Sequence, residues 1–163
     1  MRTLHVIGIL VGAFLAASAP ACAQNPDTEQ SADVSAIEKT KADLDSAYNR
    51  RDAAAFSALF LEDADFQWHT GDVLKDRKEI QEHFANAFKT MPPDFRHITT
   101  FQRIRFLTPD IAIGDGTVVI ARDGAPANEE PYLKVLLTSV GKKVNGVWRI
   151  AAVRLILPKT KGG

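Results

Sequence analysis

The chain has 163 residues, with 20 Lys and Arg balanced by 20 Asp and Glu. A chain of this length makes one domain with a sizeable core. An even charge balance without a basic stripe interleaved with aromatics excludes a nucleic-acid-binding surface, and a single cysteine, Cys22, excludes a disulfide framework.

Residues 1–23 read as an export signal. Arg2 supplies the positive start, Val6 to Ala16 an apolar run, and Ala21-Cys22-Ala23 the small residues read by a signal peptidase. The run is shorter than the roughly 20 apolar residues of a bilayer span, so no transmembrane segment is expected in the mature chain. Cleavage after Ala23 removes Cys22 and Arg2 and leaves 19 basic against 20 acidic residues, a net charge of −1. The expected location is the periplasm or the medium. Lipid attachment at Cys22 is the competing reading, and Ala19-Pro20-Ala21 lacks the large aliphatic residue of bacterial lipoprotein signals.

Residues 24–32 are polar and read as a disordered leader, and residues 33–158 as the domain, with 159–163 a frayed tail. The first helix starts at Asp33 and carries Val34, Ile37, Leu44 and Tyr48 on one face, interrupted by Lys41. Asp52 caps a short helix over Ala53 to Phe60. Ala64 to His69 is a strand with Phe66 and Trp68 at period two, and Thr70-Gly71-Asp72 is a turn. Asp76 caps a third helix with Ile80, Phe84 and Phe88 every four residues, ended by Pro92 and Pro93.

Beyond that point the period becomes alternating. His97 to Leu107 is a strand with Ile98, Thr100, Gln102, Ile104 and Phe106 on one side. Ile111 to Ala121 follows, then a polar connection over Arg122 to Pro131. Leu133 to Val140 and Val147 to Leu157 close the chain, with Asn145-Gly146 as hairpin turn. Helices followed by antiparallel strands predict an α+β domain: a cone-shaped, curved antiparallel sheet wrapped around three N-terminal helices, with a central pocket where a small molecule binds.

Asp52, Ala58-Leu59-Phe60, Glu62-Asp63-Ala64, Gly71, the Ile80 helix and Gly146-Val147-Trp148-Arg149-Ile150 together resemble the SnoaL-like branch of the nuclear-transport-factor-2-like superfamily. The similarity is closest to its SgcJ/EcaC-type group and covers the mature chain. The resemblance implies a cone-shaped barrel, a homodimer, a small apolar ligand, and activities that range over isomerases, cyclases and dehydratases alongside members without known chemistry. The ketosteroid isomerases of the superfamily match over Leu59 to Gly71 and Ile80 to Phe88. Their aspartate base falls at Trp68, their oxyanion tyrosine at Leu44 and their second oxyanion donor near Leu136, so their mechanism is not expected here.

The same register turns Tyr48, Trp68, His83, Thr100, Gln102, Asp115, Thr117, Ile150, Ala152 and Arg154 toward the pocket. Asp115, desolvated there, suits a general base; Gly114-Asp115-Gly116 also reads as a turn or bulge. Arg154, in an otherwise apolar strand, needs a partner, and Asp115 is the candidate, as a ligand anchor or as a structural ion pair. His83, at a stripe edge, reads as an acid or as packing. Tyr48 offers a hydroxyl to a ligand or reaches solvent at its helix end. His69, His97 and Glu62, Asp63 and Asp65 read as surface. No metal-ligand spacing and no glycine-rich phosphate loop occurs, so no metal and no cofactor are expected. The sequence therefore supports an exported small-molecule pocket protein, a lyase, isomerase or cyclase working by acid-base chemistry. A binding module without chemistry, or a homodimer built on the outer sheet face with an incidental pocket, are the alternatives.

Overall fold

A computed structural model describes residues 26–126 and 128–159. The expected signal peptide with Cys22, and the end of the basic tail, lie outside the described residues. The elements are α1 (Pro26–Asn49), α2 (Ala53–Ser57), β1 (Phe60–Gln67), β2 (Val73–Leu74), α3 (Arg77–Thr90), β3 (Phe95–Thr108), β4 (Ile111–Arg122), β5 (Leu133–Val144) and β6 (Val147–Ile156). Among the described residues, no helix is long and apolar enough to cross a membrane.

The caps form where the sequence places them. Asp52 accepts the Ala55 amide at 2.9 Å, and Asp76 accepts the Glu79 amide at 2.7 Å while Glu79 reaches back to the Lys75 amide at 2.8 Å. Asn145 and Gly146 both take positive φ, 51° and 78°, as a tight hairpin turn between two right-twisted strands requires. α1, in contrast, begins at Pro26 and not at Asp33. Proline fits a first helical turn because its missing amide would have had no partner there. Asp33 is therefore inside the helix. Its carboxylate accepts Trp148 Nε1 at 2.9 Å and Lys143 Nζ at 2.6 Å, fastening α1 to the β5–β6 hairpin. Burial works to raise the Asp33 carboxyl, but the bonds from Lys143 and Trp148 and the Lys143 charge outweigh it and hold the group below the usual range.

The six strands make one curved, open sheet in the order β2-β1-β6-β5-β4-β3, with the helices on its inner face. All neighbours are antiparallel except β1 and β6, which run parallel. Sheet and helices meet at Phe56, Phe60, Ile80, Phe84 and Val135, all fully buried. Each contributes about 1.5–3 kcal/mol of transfer free energy.

Two irregularities set which side chains face inward. In β3 the pairing with β4 slips between Phe101 and Arg103. Before the slip His97 and Thr99 face the interior, and after it Ile104 and Phe106 do, with Phe106 5.8 Å from the Trp148 ring. An extra residue in one strand exchanges its faces. In β6 the pairing with β5 slips between Val140 and Gly141, and with β1 between Phe60 and Asp65. Ile150 faces in; Ala152 and Arg154 face out.

Candidate active site

Between helices and sheet lies a cavity of about 80 Å³, well above the about 10–15 Å³ that one water occupies. Its floor is aromatic: Tyr48, Phe56, Phe60, Phe66, Trp68 and Phe84. Its sheet side is lined by small residues, Ala112, Gly114, Ser139 and Gly141.

A buried imidazole stands at this wall: His97, 7% exposed. Its Nδ1 lies 2.8 Å from Asp45 Oδ1 on α1. The same carboxylate accepts the Thr99 hydroxyl at 2.7 Å and the Thr99 amide at 3.0 Å. One helical turn on, Asn49 clamps the His97 backbone, its Oδ1 accepting the amide at 2.8 Å and its Nδ2 donating to the carbonyl at 3.0 Å. The Tyr48 ring stacks on the imidazole, centroids 4.3 Å apart. An Nδ1 proton donated to Asp45 leaves Nε2 with a lone pair, and Nε2 has no hydrogen-bond partner among the described residues. A buried imidazole oriented by a carboxylate, with its other nitrogen free at an apolar void, is the arrangement of a general base.

The expected site residues divide. Tyr48, Trp68 and Ile150 line the cavity. Tyr48 is buried and does not reach solvent; burial pushes its hydroxyl up to about 12, with the Arg51 charge opposing. Among the described residues the buried indole Nε1 of Trp68 has no partner, and neither has the buried Nδ1 of the half-buried His69, which is not simply a surface residue. His83 packs beside Trp68, ring centroids 5.2 Å apart, and does not line the void.

Asp115, Thr117, Thr100, Gln102, Ala152 and Arg154 all stand on the outer face of the sheet. Gly114-Asp115-Gly116 is neither a turn nor a bulge; it is paired on both sides within β4. The inner residues there are the glycines, so Asp115 is turned away from the cavity, where it accepts the Thr138 hydroxyl at 2.9 Å. Gln102 and Thr117 meet each other at 3.4 Å on that outer face. Arg154 pairs with Asp65, not Asp115, through two bonds of 2.9 and 2.6 Å. The Asp65 hydrogen bond raises the guanidinium above its usual value against the opposing effect of burial. Asp65 is thus part of an ion pair, while Glu62 and Asp63 are exposed.

His97 is the largest correction, since its pattern as a surface residue rested on a strand register without the slip at Gln102. The usable signal was period two over Phe95, His97, Thr99 and Phe101, read together with Asp45 and Asn49 one turn apart on α1. Among the described residues, no group of three His, Cys, Asp or Glu could hold a metal ion.

Comparison with known proteins places this geometry. No curated protein matches the chain at a significant level. A domain of unknown function with a cystatin-like fold from Nostoc punctiforme is 28% identical over 80% of each chain, with a TM-score of 0.70. A protein provisionally assigned as a scytalone dehydratase, from Novosphingobium aromaticivorans, shares 18% identity over 79% of this chain and 86% of its own, with a TM-score of 0.69. The hexachlorocyclohexane dehydrochlorinase LinA-type3 from Novosphingobium barchaimii shares 19% over 79% and 90%, with a TM-score of 0.65. The SnoaL-like domain is matched over residues 29–154, which include all of the cavity lining except Leu155, and the chain belongs to the SnoaL-like domain family.

Proposed function

We propose that the protein is a lyase that removes a small group from a compact, largely apolar substrate, with His97 as the base. The observation that carries this reading is the His97–Asp45 pair at 2.8 Å, with Nε2 free at the cavity wall. Nε2 takes a proton from a carbon next to an electron-withdrawing group. The C–H electron pair becomes the second bond of a C=C, and the leaving group departs with its own bonding pair. When hydroxide leaves, the proton on His97 passes to it and water is formed; when halide leaves, the proton passes to solvent. Asp45 stabilises the imidazolium that forms between the two steps. Support also comes from the names of two similar structures, a provisional dehydratase and a dehydrochlorinase.

The test is product formation from a panel of β-hydroxy carbonyl compounds and halogenated cyclohexanes, followed by gas chromatography with mass detection. For a substrate that is turned over, His97→Gln lowers kcat by about a hundredfold or more, Asp45→Asn lowers it less, and Asp115→Asn leaves it unchanged. Undiminished turnover by His97→Gln removes the base from the mechanism.

Self-association through the outer sheet face accompanies this reading. Leu136 and Ile156, paired across the neighbouring strands β5 and β6, are 46% and 58% exposed on that face, and Ile98, 53% exposed, lies two strands from β5 on β3; exposed apolar surface of this kind marks protein contacts. Export with cleavage after Ala23 is proposed from the N-terminal sequence. Native mass spectrometry of protein purified from its host tests both, the expected species being two copies of a chain that begins at Gln24. A monomer, or a lipidated chain that begins at Cys22, would overturn the respective proposal.

A further inference from the structure

The inner face of α1 carries one residue that apolar packing does not explain. Ile37, Thr40, Lys41, Leu44 and Tyr48 follow the helical repeat along the cavity wall, and Lys41 interrupts that stripe with an ammonium. Its side chain is 22% exposed and is held by Glu38 at 2.8 Å, from the preceding turn. Arg149 borders the cavity, but it stands between the inward-facing Trp148 and Ile150 and its guanidinium is turned away to donate to the Ala58 carbonyl. Among the described residues no Asp or Glu lines the cavity; Asp45 stands behind His97. Among the described residues the wall therefore carries one cation, Lys41, and no anion, which favours a negative charge inside.

From these observations we propose that the ligand is a compact organic anion, an apolar body bearing one carboxylate, and that Lys41 is its anchor. Bound carboxylate takes the place of Glu38 on the ammonium, and Glu38, more exposed than Lys41 at 41%, is released to water. Lys41 precedes Asp45 by four residues, about 6 Å along the helix axis. The carboxylate is accordingly held about one helical turn from the base, and the carbon that loses its proton lies across the apolar body from it. This deepens the lyase reading and rests on it for the role of His97, but the charge preference is a property of binding alone.

The experiment uses two probes of the same shape, 4-methylbenzoate and neutral 4-methylbenzamide, titrated calorimetrically at neutral pH. The wild-type chain is expected to bind the acid about tenfold more tightly than the amide, the size of one charge-assisted hydrogen bond. Lys41→Gln should lose that preference with the amide affinity unchanged, and Lys41→Arg should retain it, which separates lost charge from lost fold. Equal affinities in the wild type, a preference that survives Lys41→Gln, or binding of neither probe would each overturn the proposal. His97→Gln should keep the preference while losing turnover. A preference intact beside a fully active His97→Gln would sink the base and leave the anchor standing.

Discussion

Tyr48 joins the core to the base. Its ring stacks on His97 at 4.3 Å and meets Phe84 and Phe88 edge-on at 6.0 and 5.1 Å, with 2% of its surface exposed. Burial pushes its hydroxyl from 10.0 up to about 12. Between those values the unfolded chain has lost a phenolic proton that the folded chain still holds. Stability therefore falls as pH rises through that window, and the loss is absent below it. Urea unfolding from pH 9 to 12 should show a steeper decline for wild type than for Tyr48→Phe, by about 2–3 kcal/mol at the alkaline end. Parallel curves would mean that the hydroxyl is solvated. Tyr48 was legible in the sequence as a cavity residue because the helical repeat carries it. Asp45 was not, because a carboxylate between Leu44 and Ser46 has the pattern of a wet helix face. Its partner lies 52 residues away in the chain, and only tertiary contact makes it a half-buried acceptor.

At the scale of the strand, inner and outer faces were exchanged by residues that have little or no side chain. Along β4 the outer positions are Ile111, Ile113, Asp115, Thr117 and Val119, and the inner ones Ala112, Gly114, Gly116, Val118 and Ile120. The outer set is the richer in branched residues, so a hydrophobic pattern alone points it at the core and carries Asp115 with it. The glycines are inside because backbone and rings come too close for anything larger. A Cβ at Gly116 would lie 2.2 Å from the Thr100 carbonyl oxygen, beside the slip in β3, and one at Gly114 would lie 2.6 Å from the Phe101 ring. Gly116→Ala must move backbone, which is rigid, and should lower stability by about 1–3 kcal/mol or more, read as a lower urea midpoint at unchanged slope. An unchanged midpoint would show that β3 yields freely there. Helix caps were readable because each is a contact between near neighbours in the chain. Strand faces were not, because one inserted residue inverts them and its position depends on the partner strand.

The sheet has an inner face wrapped around the cavity and an outer face on which exposed apolar residues stand among polar ones. The outer one mixes Ile98, Leu136 and Ile156 with Asp115, Thr138 and the Arg154–Asp65 pair. Placing a charge at the centre of such a patch costs little in a monomer and much in an interface, where it would be buried unpaired. For the dimer proposed through this face, Leu136→Glu should halve the mass seen by light scattering and leave the melting profile cooperative. A wild type of monomer mass, or a dimer mass unaffected by the substitution, would overturn the assignment of this face.

By itself the sequence determined the fold class, the helix caps, the hairpin turn and the apolar character of the interior. These follow from local propensity, from residue types at turns and from periodicity, all of which act over a few residues. Tertiary structure decided which polar groups share that interior. The slip at Gln102 turned His97 inward, the glycines of β4 turned Asp115 outward, and Arg154 found Asp65 across a parallel pairing of β1 with β6. The physical reason is that a side chain's environment belongs to the pairing of distant strands, and a strand carries no record of where its partner will interrupt its alternation.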